Sequence, residues 1–432
     1  MKPLRVFVFL CLCLLLTGVA FWLFPREGVT IGDHVWHAPD VQQYLRPQAD
    51  TLTITLDTVC LLFLPAVERP QTPVYVSDTC ARDDTYRWLM PFYLSLGEAK
   101  DSTVRVVHYG DSQIEGDRMT MVLRAALQAR FGGSGVGLVP LYQTIDSRTT
   151  NQYILSGDGR RAVVPKQYLA FGPSSRRRGD HRYGPMGQVS VMDNALVNGS
   201  EDLSLRLETT RSYAFEQVRV VATRDTIIDL TDSTTLYTLH LTGKQDVYGV
   251  SMECKTGIYV DNVALRGCAG TIFTGIDSVA LQRYFIDTRT RLIILQFGGN
   301  VVPYLTTRKQ VEQYAARIGR QLKYLRRCAP EAAILFVGPS DMLCFKDGKR
   351  QSYAILPVLD TALRSTIEQE QATYWSLYEA MGGAGAMLTW MQQGLAGKDG
   401  IHFTRQGADR AGAMLRDFIL QPLTEQPVCT NN

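Results

Sequence analysis

Val104-Arg105-Val106-Val107-His108-Tyr109-Gly110-Asp111-Ser112-Gln113-Ile114-Glu115-Gly116-Asp117-Arg118 is the stretch on which the reading of this chain turns. Its first half is a β-branched run that stops at Gly110. Beyond Asp111-Ser112, the residues Met119, Val122, Leu123, Ala126 and Leu127 recur at helical spacing. Strand, tight turn and helix would together hold the Ser112 hydroxyl at the carboxyl end of a sheet. There it would lie beside the amide donors of a helix N-terminus, where a nucleophile can use them. Taken alone, Asp-Ser ahead of a helix is more often an N-cap.

Two distant stretches change that balance. Lys398-Asp399-Gly400-Ile401-His402-Phe403-Thr404 precedes an amphipathic helix with Ala408, Ala411, Leu415 and Phe418 on one side. An Asp and a His three apart in a loop can reach one site together, the carboxylate orienting an imidazole that deprotonates a serine. Between them, Leu292-Ile293-Ile294-Leu295-Gln296-Phe297 reads as a buried strand ending in Gly298-Gly299-Asn300, which delivers an amide to a strand's carboxyl end.

Gly110-Asp111-Ser112, Gly299-Asn300 and Asp399-x-x-His402, in that order, resemble blocks I, III and V of the SGNH/GDSL hydrolases. The block II glycine is best matched by Gly267, in the loop after Val260-Asp261-Asn262-Val263-Ala264. The resemblance implies a flavodoxin-like three-layer α/β/α fold and a serine nucleophile, Ser112. It implies His402 as general base and then acid, and Asp399 as the group that orients it. It also implies an oxyanion hole made by the Ser112 N–H, the Gly267 N–H and the Asn300 amide. Val301 stands where many members have Asp, a departure expected to affect bracing of the loop. No cofactor is implied, and the cysteines show no zinc-like spacing, so no metal is expected.

The chain has 432 residues, 45% of them hydrophobic, enough for a large core and roughly two to three domains. A net charge of +3 points to no nucleic-acid partner. Lys2 and Arg5 precede an uncharged apolar run over 6–24, long enough for a short membrane span with the basic end in the cytoplasm and the remainder exported. A cleaved signal peptide is the alternative. Cys11 and Cys13 fall within this run. Beyond it lie Cys60, Cys80, Cys254, Cys268, Cys328, Cys344 and Cys429, without a CxxC pair. Cys254 with Cys268 and Cys60 with Cys80 are open as disulfides, beside the alternative of buried free thiols.

The expected organisation is a signal-anchor segment over 1–25 and a spacer over 26–83. A first part of the hydrolase follows over 84–143, an inserted β-sandwich over 144–255, the second part over 256–422 and a tail over 423–432. The spacer is rich in Pro, Asp and Thr, with strand-like Thr51-Leu52-Thr53-Ile54-Thr55-Leu56 and the apolar Leu61-Leu62-Phe63-Leu64. Trp88, Leu89, Phe92, Tyr93 and Leu96 mark a helix over 87–96. Phe131-Gly132-Gly133-Ser134-Gly135-Val136-Gly137 lacks the Gly-Lys-Ser/Thr of a phosphate loop and reads as a flexible exit. Ser190-Val191-Met192, Leu203 to Leu207, Val218 to Val221 and Leu236 to Leu241 are short alternating runs of the sandwich kind. This insertion resembles the modules, similar to carbohydrate-binding domains, of peptidoglycan O-acetylesterases. Arg176-Arg177-Arg178 with His181-Arg182 is a basic cluster that could meet an anionic glycan.

The remainder alternates helix (Val311, Tyr314, Ile318, Leu322, Leu325), strand (Ala333-Ile334-Leu335-Phe336-Val337) and a helix over 357–370, the pattern of a parallel sheet. Gly338-Pro339-Ser340-Asp341 and 377–383 follow strands and are candidates to line the site. The resulting expectation is an inner-membrane-anchored, periplasm-facing serine esterase that removes O-acetyl groups from an envelope polysaccharide such as peptidoglycan. A membrane acyltransferase is a candidate partner. An O-acetyltransferase with the same triad and an inert glycan-binding protein are the alternatives.

Overall fold

The computed structural model describes residues 29–31, 34–36, 75–76, 84–143, 145–155, 165–192, 202–242 and 245–424. The chain divides into two units, Met1–Val67 and Glu68–Asn432. In the first, β1 (Val29–Ile31) and β2 (His34–Trp36) form an antiparallel hairpin. The apolar run over 6–24, the strand-like 51–56 and the run over 61–64 lie outside the described residues, as do 425–432. Among the described residues, no helix is long and apolar enough to cross a membrane.

The second unit contributes β3 (Tyr75–Val76) and then three short helical pieces where one helix over 87–96 was expected. These are a 3-10 turn at Asp84–Leu89, α1 (Met90–Ser95) and a second 3-10 turn at Leu96–Lys100. Pro91 is the physical reason: lacking an N–H, it fits only the first turn of an α-helix, so α1 starts at Met90. Strand β4 (Thr103–Gly110) follows. The helix does not begin directly after Asp111-Ser112 as expected. A turn and a 3-10 piece at Glu115–Asp117 intervene, and α2 runs Thr120–Phe131. Gly116 (φ 69°) and Asp117 (φ 60°) are left-handed and interrupt the helical path. Asp117 is held there by a buried ion pair with Arg124 and a hydrogen bond of 2.6 Å from the Thr149 hydroxyl.

Nine strands come next: β5 (Gly137–Val139), β6 (Thr150–Leu155), β7 (Lys166–Leu169), β8 (Gln188–Met192), β9 (Asp202–Thr209), β10 (Phe215–Ala222), β11 (Thr226–Thr234), β12 (Leu236–Thr242) and β13 (Gln245–Glu253). They form two antiparallel sheets, β11-β10-β13-β8-β7 with β5 also against β13, and β12-β9-β6. Leu203, Leu205, Leu207 and Leu239 of the smaller sheet share a core with Val218, Val220, Val250 and Met252 of the larger. The other face of the larger sheet is covered over its central strands, while the edge strand β11 stays exposed. Leu138, Val189, Val221 and Tyr248 join Val107, Tyr109 and Val263 in one core, so the sandwich is fused to the body.

The glycine-rich loop is the seam of this fusion, and the expectation of a flexible exit is corrected. A Cβ on Gly135 would stand 2.4 Å from the Met252 carbonyl oxygen, and one on Gly137 would stand 2.2 Å from Asp261 Oδ1. Both glycines have positive φ, so the stretch is glycine because the backbone must approach closely there. Beneath the seam Arg105 is buried, paired to Glu253 of β13 and to Asp261 Oδ1 at 2.6 Å, with the Tyr284 hydroxyl at 3.2 Å.

After β14 (Gly257–Ala264), which contains Asp261, the chain alternates α3 (Ser278–Asp287), β15 (Thr290–Gln296), α4 (Arg308–Cys328) and β16 (Ala333–Val337). A hairpin β17 (Leu343–Lys346) and β18 (Lys349–Ser352) precedes α5 (Leu356–Gln369), β19 (Thr373–Trp375), α6 (Leu377–Met381), α7 (Ala386–Gln392), α8 (Arg405–Leu420) and β20 (Leu423–Thr424). β20 pairs with β3, tying the expected tail and spacer together. The parallel sheet has the order β14-β4-β15-β16-β19, which is 2-1-3-4-5 in chain order.

Alternate residues of each strand serve opposite layers, because side chains point to opposite faces with period two. Val107, Ile293, Leu295 and Phe336 meet α3, α4 and α5 on one face. Val106, Leu292, Ile294 and Leu335 meet α1, α2 and α8 on the other. The stripe of α4 is buried at every position expected, and Thr307 with Gln310 closes its N-terminus as a capping box. Cys268, Cys328 and Cys344 are free thiols, so the Cys254–Cys268 bridge is not formed. Cys60 and Cys80 lie outside the described residues.

Candidate active site

In a 2-1-3-4-5 sheet the strand order reverses between the first and third strands, and the crevice outside their carboxyl ends is where ligands bind. Here those strands are β4 and β15. The first delivers Asp111-Ser112 and the second Gly298-Gly299-Asn300, while β16 delivers Gly338-Pro339-Ser340. A cavity of about 200 Å³ opens at this point, lined by Ser112, Asn300, Ser340 and His402 among others.

His402 arrives from the loop ahead of α8. Asp399 Oδ1 accepts the backbone N–H groups of Ile401 (3.0 Å) and His402 (3.1 Å), a local turn that aims the imidazole. Asp399 Oδ2 stands 2.7 Å from His402 Nδ1, and His402 Nε2 stands 3.0 Å from Ser112 Oγ. An ionised carboxylate only accepts, so Nδ1 carries the proton and Nε2 is left to accept from the serine hydroxyl. Burial works against the charge on Asp399, but the bond from His402 and the two backbone donors outweigh it and hold its pKa below the usual range. Its side chain is 47% exposed and that of His402 42%, so the pair stays open to water.

Asn300 does not cap a helix. It lies inside a 3-10 turn, Gly299–Tyr304, whose N-cap is Gly298. Its Nδ2 donates to Asp111 Oδ2 at 2.8 Å and to the Cys268 carbonyl at 3.1 Å. Both amide hydrogens are thus engaged, and a developing oxyanion would compete with these acceptors for one of them. Burial is the main reason that Asp111 is pushed up to about 6, only partly offset by the Gln113 N–H, His402 and the Asn300 amide.

Gly267 is placed differently. It sits in an exposed left-handed turn closed by the Cys268 N–H on the Leu265 carbonyl, and it is not among the residues lining the cavity. The segment 377–383 also stays out of the lining; it folds as α6 and the turn after it. Val301 packs against the core beside the site. Of the basic cluster, Arg178 pairs with Asp180 (2.9 Å) and Asp246 (2.5 Å), whereas Arg176, Arg177, His181 and Arg182 are exposed.

Three residues here were missed from sequence. Gln113 donates to the Ile401 carbonyl at 2.7 Å, bracing the histidine loop, while its own carbonyl oxygen has no partner among the described residues. Arg118 donates to the Ser112 carbonyl and, at 2.8 Å, to that of Glu115, fixing the turn. Tyr304 lines the cavity with 76% of its surface exposed. Adjacency to Ser112 was the one signal for Gln113; Arg118 and Tyr304 carry none that a single sequence shows. Among the described residues, no three His, Cys, Asp or Glu side chains stand together so as to hold a metal ion.

No family model and no curated protein matches the chain. Among solved structures it is similar to a peptidoglycan O-acetylesterase, at 23% identity over 77% of this chain and 95% of that one, with a TM-score of 0.61. Est24, a carbohydrate acetylesterase from Sinorhizobium meliloti, matches 38% of this chain and 79% of its own at 14% identity, with a TM-score of 0.29. The periplasmic domain of a Salmonella lipopolysaccharide acetyltransferase matches 38% and 72% at 12% identity, with a TM-score of 0.27. The first likeness shows the fold, an α/β core built on a parallel sheet; the other two are too partial to carry an argument.

Proposed function

We propose that this protein is an SGNH-type serine esterase that removes O-acetyl groups from a cell-envelope polysaccharide such as peptidoglycan. The observation that carries the reading is the continuous relay Asp399–His402–Ser112, 2.7 and 3.0 Å, at the switch point of the sheet. Ser112 Oγ attacks the ester carbonyl and its proton passes to His402 Nε2. The tetrahedral intermediate collapses as His402 returns that proton to the departing sugar oxygen. Water, deprotonated by His402, then attacks the acetyl carbonyl, and His402 returns that proton to Ser112 Oγ as the acyl–oxygen bond breaks and acetic acid leaves. The Asn300 amide and the Ser112 N–H are the proposed oxyanion donors, with Gly267 as the third candidate from its block position. The polysaccharide substrate is supported by the fold held in common with a peptidoglycan O-acetylesterase over nearly all of that chain.

Export is proposed on the apolar run over 6–24 behind Lys2 and Arg5, which would either anchor the chain with its body outside the cytoplasmic membrane or be removed as a signal peptide. The test is release of acetate from O-acetylated peptidoglycan and of p-nitrophenolate from p-nitrophenyl acetate. Turnover of both is expected. Hydrolysis of neither would overturn the reading, and hydrolysis of the small ester alone would remove the polysaccharide.

A further inference from the structure

A second cavity, of about 140 Å³, lies between the β-sandwich and the turn that carries Ser112. Glu115, Gly116 and Asp117 supply the wall on the side of the turn, and Gln152, Gln167 and Gln188 supply part of the sandwich wall. Nothing in the acyl-transfer chemistry uses these three amides.

The charged groups around the cavity are already neutralised. Asp117 is paired with buried Arg124 through both carboxylate oxygens, and Glu115 with Arg266. What remains is polar and uncharged. Gln152 is 7% exposed; its amide nitrogen donates to Thr150 Oγ1 at 3.3 Å, but its carbonyl oxygen is buried with no partner among the described residues. A buried acceptor left unmatched is destabilising, so it calls for a donor from outside the protein, a water or a ligand. Gln167 donates to Gln188 Oε1 at 3.1 Å, while the Gln188 amide meets the Met186 sulfur, a weak acceptor, at 3.7 Å. Tyr142 and Ile145 add an apolar side. Neutral walls, surplus amide groups and an aromatic edge suit a ligand with several hydroxyls and no charge, and disfavour a phosphate or carboxylate. At roughly 30 Å³ per water the volume corresponds to about five waters, the scale of a single small ring. Glu115 is three residues from Ser112, at most about 11 Å along the chain, so the cavity is within reach of a sugar neighbouring the one under attack.

We propose that this cavity is a saccharide subsite separate from the catalytic cleft. It takes one uncharged sugar of the glycan whose ester Ser112 attacks, a hydroxyl or acetamido N–H donating to Gln152 Oε1. The proposal rests on the esterase reading above, and two readouts separate them. In Gln152→Leu, kcat/KM for p-nitrophenyl acetate stays within about twofold, KM for O-acetylated peptidoglycan rises about tenfold for the lost hydrogen bond, and Tm rises because the unmatched oxygen is gone. Binding of chitotetraose to Ser112→Ala, read by calorimetry, weakens about tenfold when Gln152→Leu is added. Should Gln152→Leu fail to fold, Gln188→Ala on the same wall replaces it, with a KM rise and weakened binding again expected. Unchanged KM and binding overturn the subsite, and so does a parallel fall in p-nitrophenyl acetate turnover, which marks a structural role. If the wild type releases no acetate from peptidoglycan, the esterase reading falls, and the chitotetraose comparison alone decides the subsite.

Discussion

Strand β4 carries a charged cluster toward each end, and the two behave oppositely. Toward its start, Arg105 sits with Glu253 and Asp261 at side-chain exposures of 1%, 2% and 0%. Burial opposes the charge on Arg105, but Asp261, Tyr284 and Glu253 outweigh it and raise its pKa; burial likewise opposes the charge on Glu253, yet Arg105 and Arg219 lower it. Arg105 and Glu253 keep each other ionised, and the cluster's role is to join sandwich and sheet. Past its carboxyl end, His402 and Asp399 are nearly half exposed, and Ser112 Oγ has an imidazole nitrogen 3.0 Å away. Charges that are dry and fully paired hold structure; a relay that is partly wet, with a proton free to move along it, can do chemistry.

The sharpest way to break this contrast is Ser112→Ala. Turnover of p-nitrophenyl acetate should fall by on the order of 10⁴-fold or more with the circular dichroism spectrum unchanged, since the acyl group has no other carrier. Near-normal rates would remove Ser112 from the mechanism. Arg105→Ala should do the reverse. Leaving Glu253 and Asp261 buried without their counter-charge should cost about 3–5 kcal/mol in urea unfolding, while kcat per folded molecule holds. A loss of kcat with stability intact would contradict the division of roles.

Asn300→Ala is expected to lower kcat by roughly 10²–10³-fold, about 3–4 kcal/mol, with little change in KM. Because the amide also binds Asp111, a change of only a few-fold would leave Asn300 as a brace for that carboxylate. Asn300→Asp would set two carboxylates face to face and so is a poor test of the oxyanion role.

The smallest expected effect belongs to Asp111→Asn. The Asp111 carboxyl is held at about 6, above the roughly 3.9 of an unfolded Asp. The folded state therefore binds this proton first, so its contribution to stability is full below about pH 4 and is lost as pH rises through about 6. The stability of wild type relative to Asp111→Asn should decline over that window by up to about 3 kcal/mol. Parallel curves would show that the carboxyl titrates as an ordinary Asp.

Much of the layout was legible because it is local. The runs at Leu203, Val218 and Leu236 are strands, and the stripe of α4 is buried as its period requires. The misreadings lie where distant chain intrudes. Gly135 and Gly137 looked like slack, but they are the points where the loop passes against Met252 and Asp261. The turn after Ser112 looked like a helix start, but Thr149 and Arg124 hold Asp117 in the left-handed region. Gly267 is a different case: matched by block position, it stands in an exposed turn apart from the residues that line the cavity, and its part as an oxyanion donor stays a proposal.

By itself the sequence determined which residues could carry chemistry: three short blocks, each at the end of a strand or in a loop, because strand and helix periods are written in neighbouring residues. Tertiary structure decided that they meet. Ser112 and His402 are 290 positions apart, and only the 2-1-3-4-5 order sets β4 beside β15 under the loop that brings His402. It also decided what each group became. Burial raised Asp111, an adjacent carboxylate took one hydrogen of Asn300, and the fused sandwich left Gln152 with an unmatched oxygen. Dielectric and hydrogen-bond partners belong to a place in the fold, and no stretch of sequence contains them.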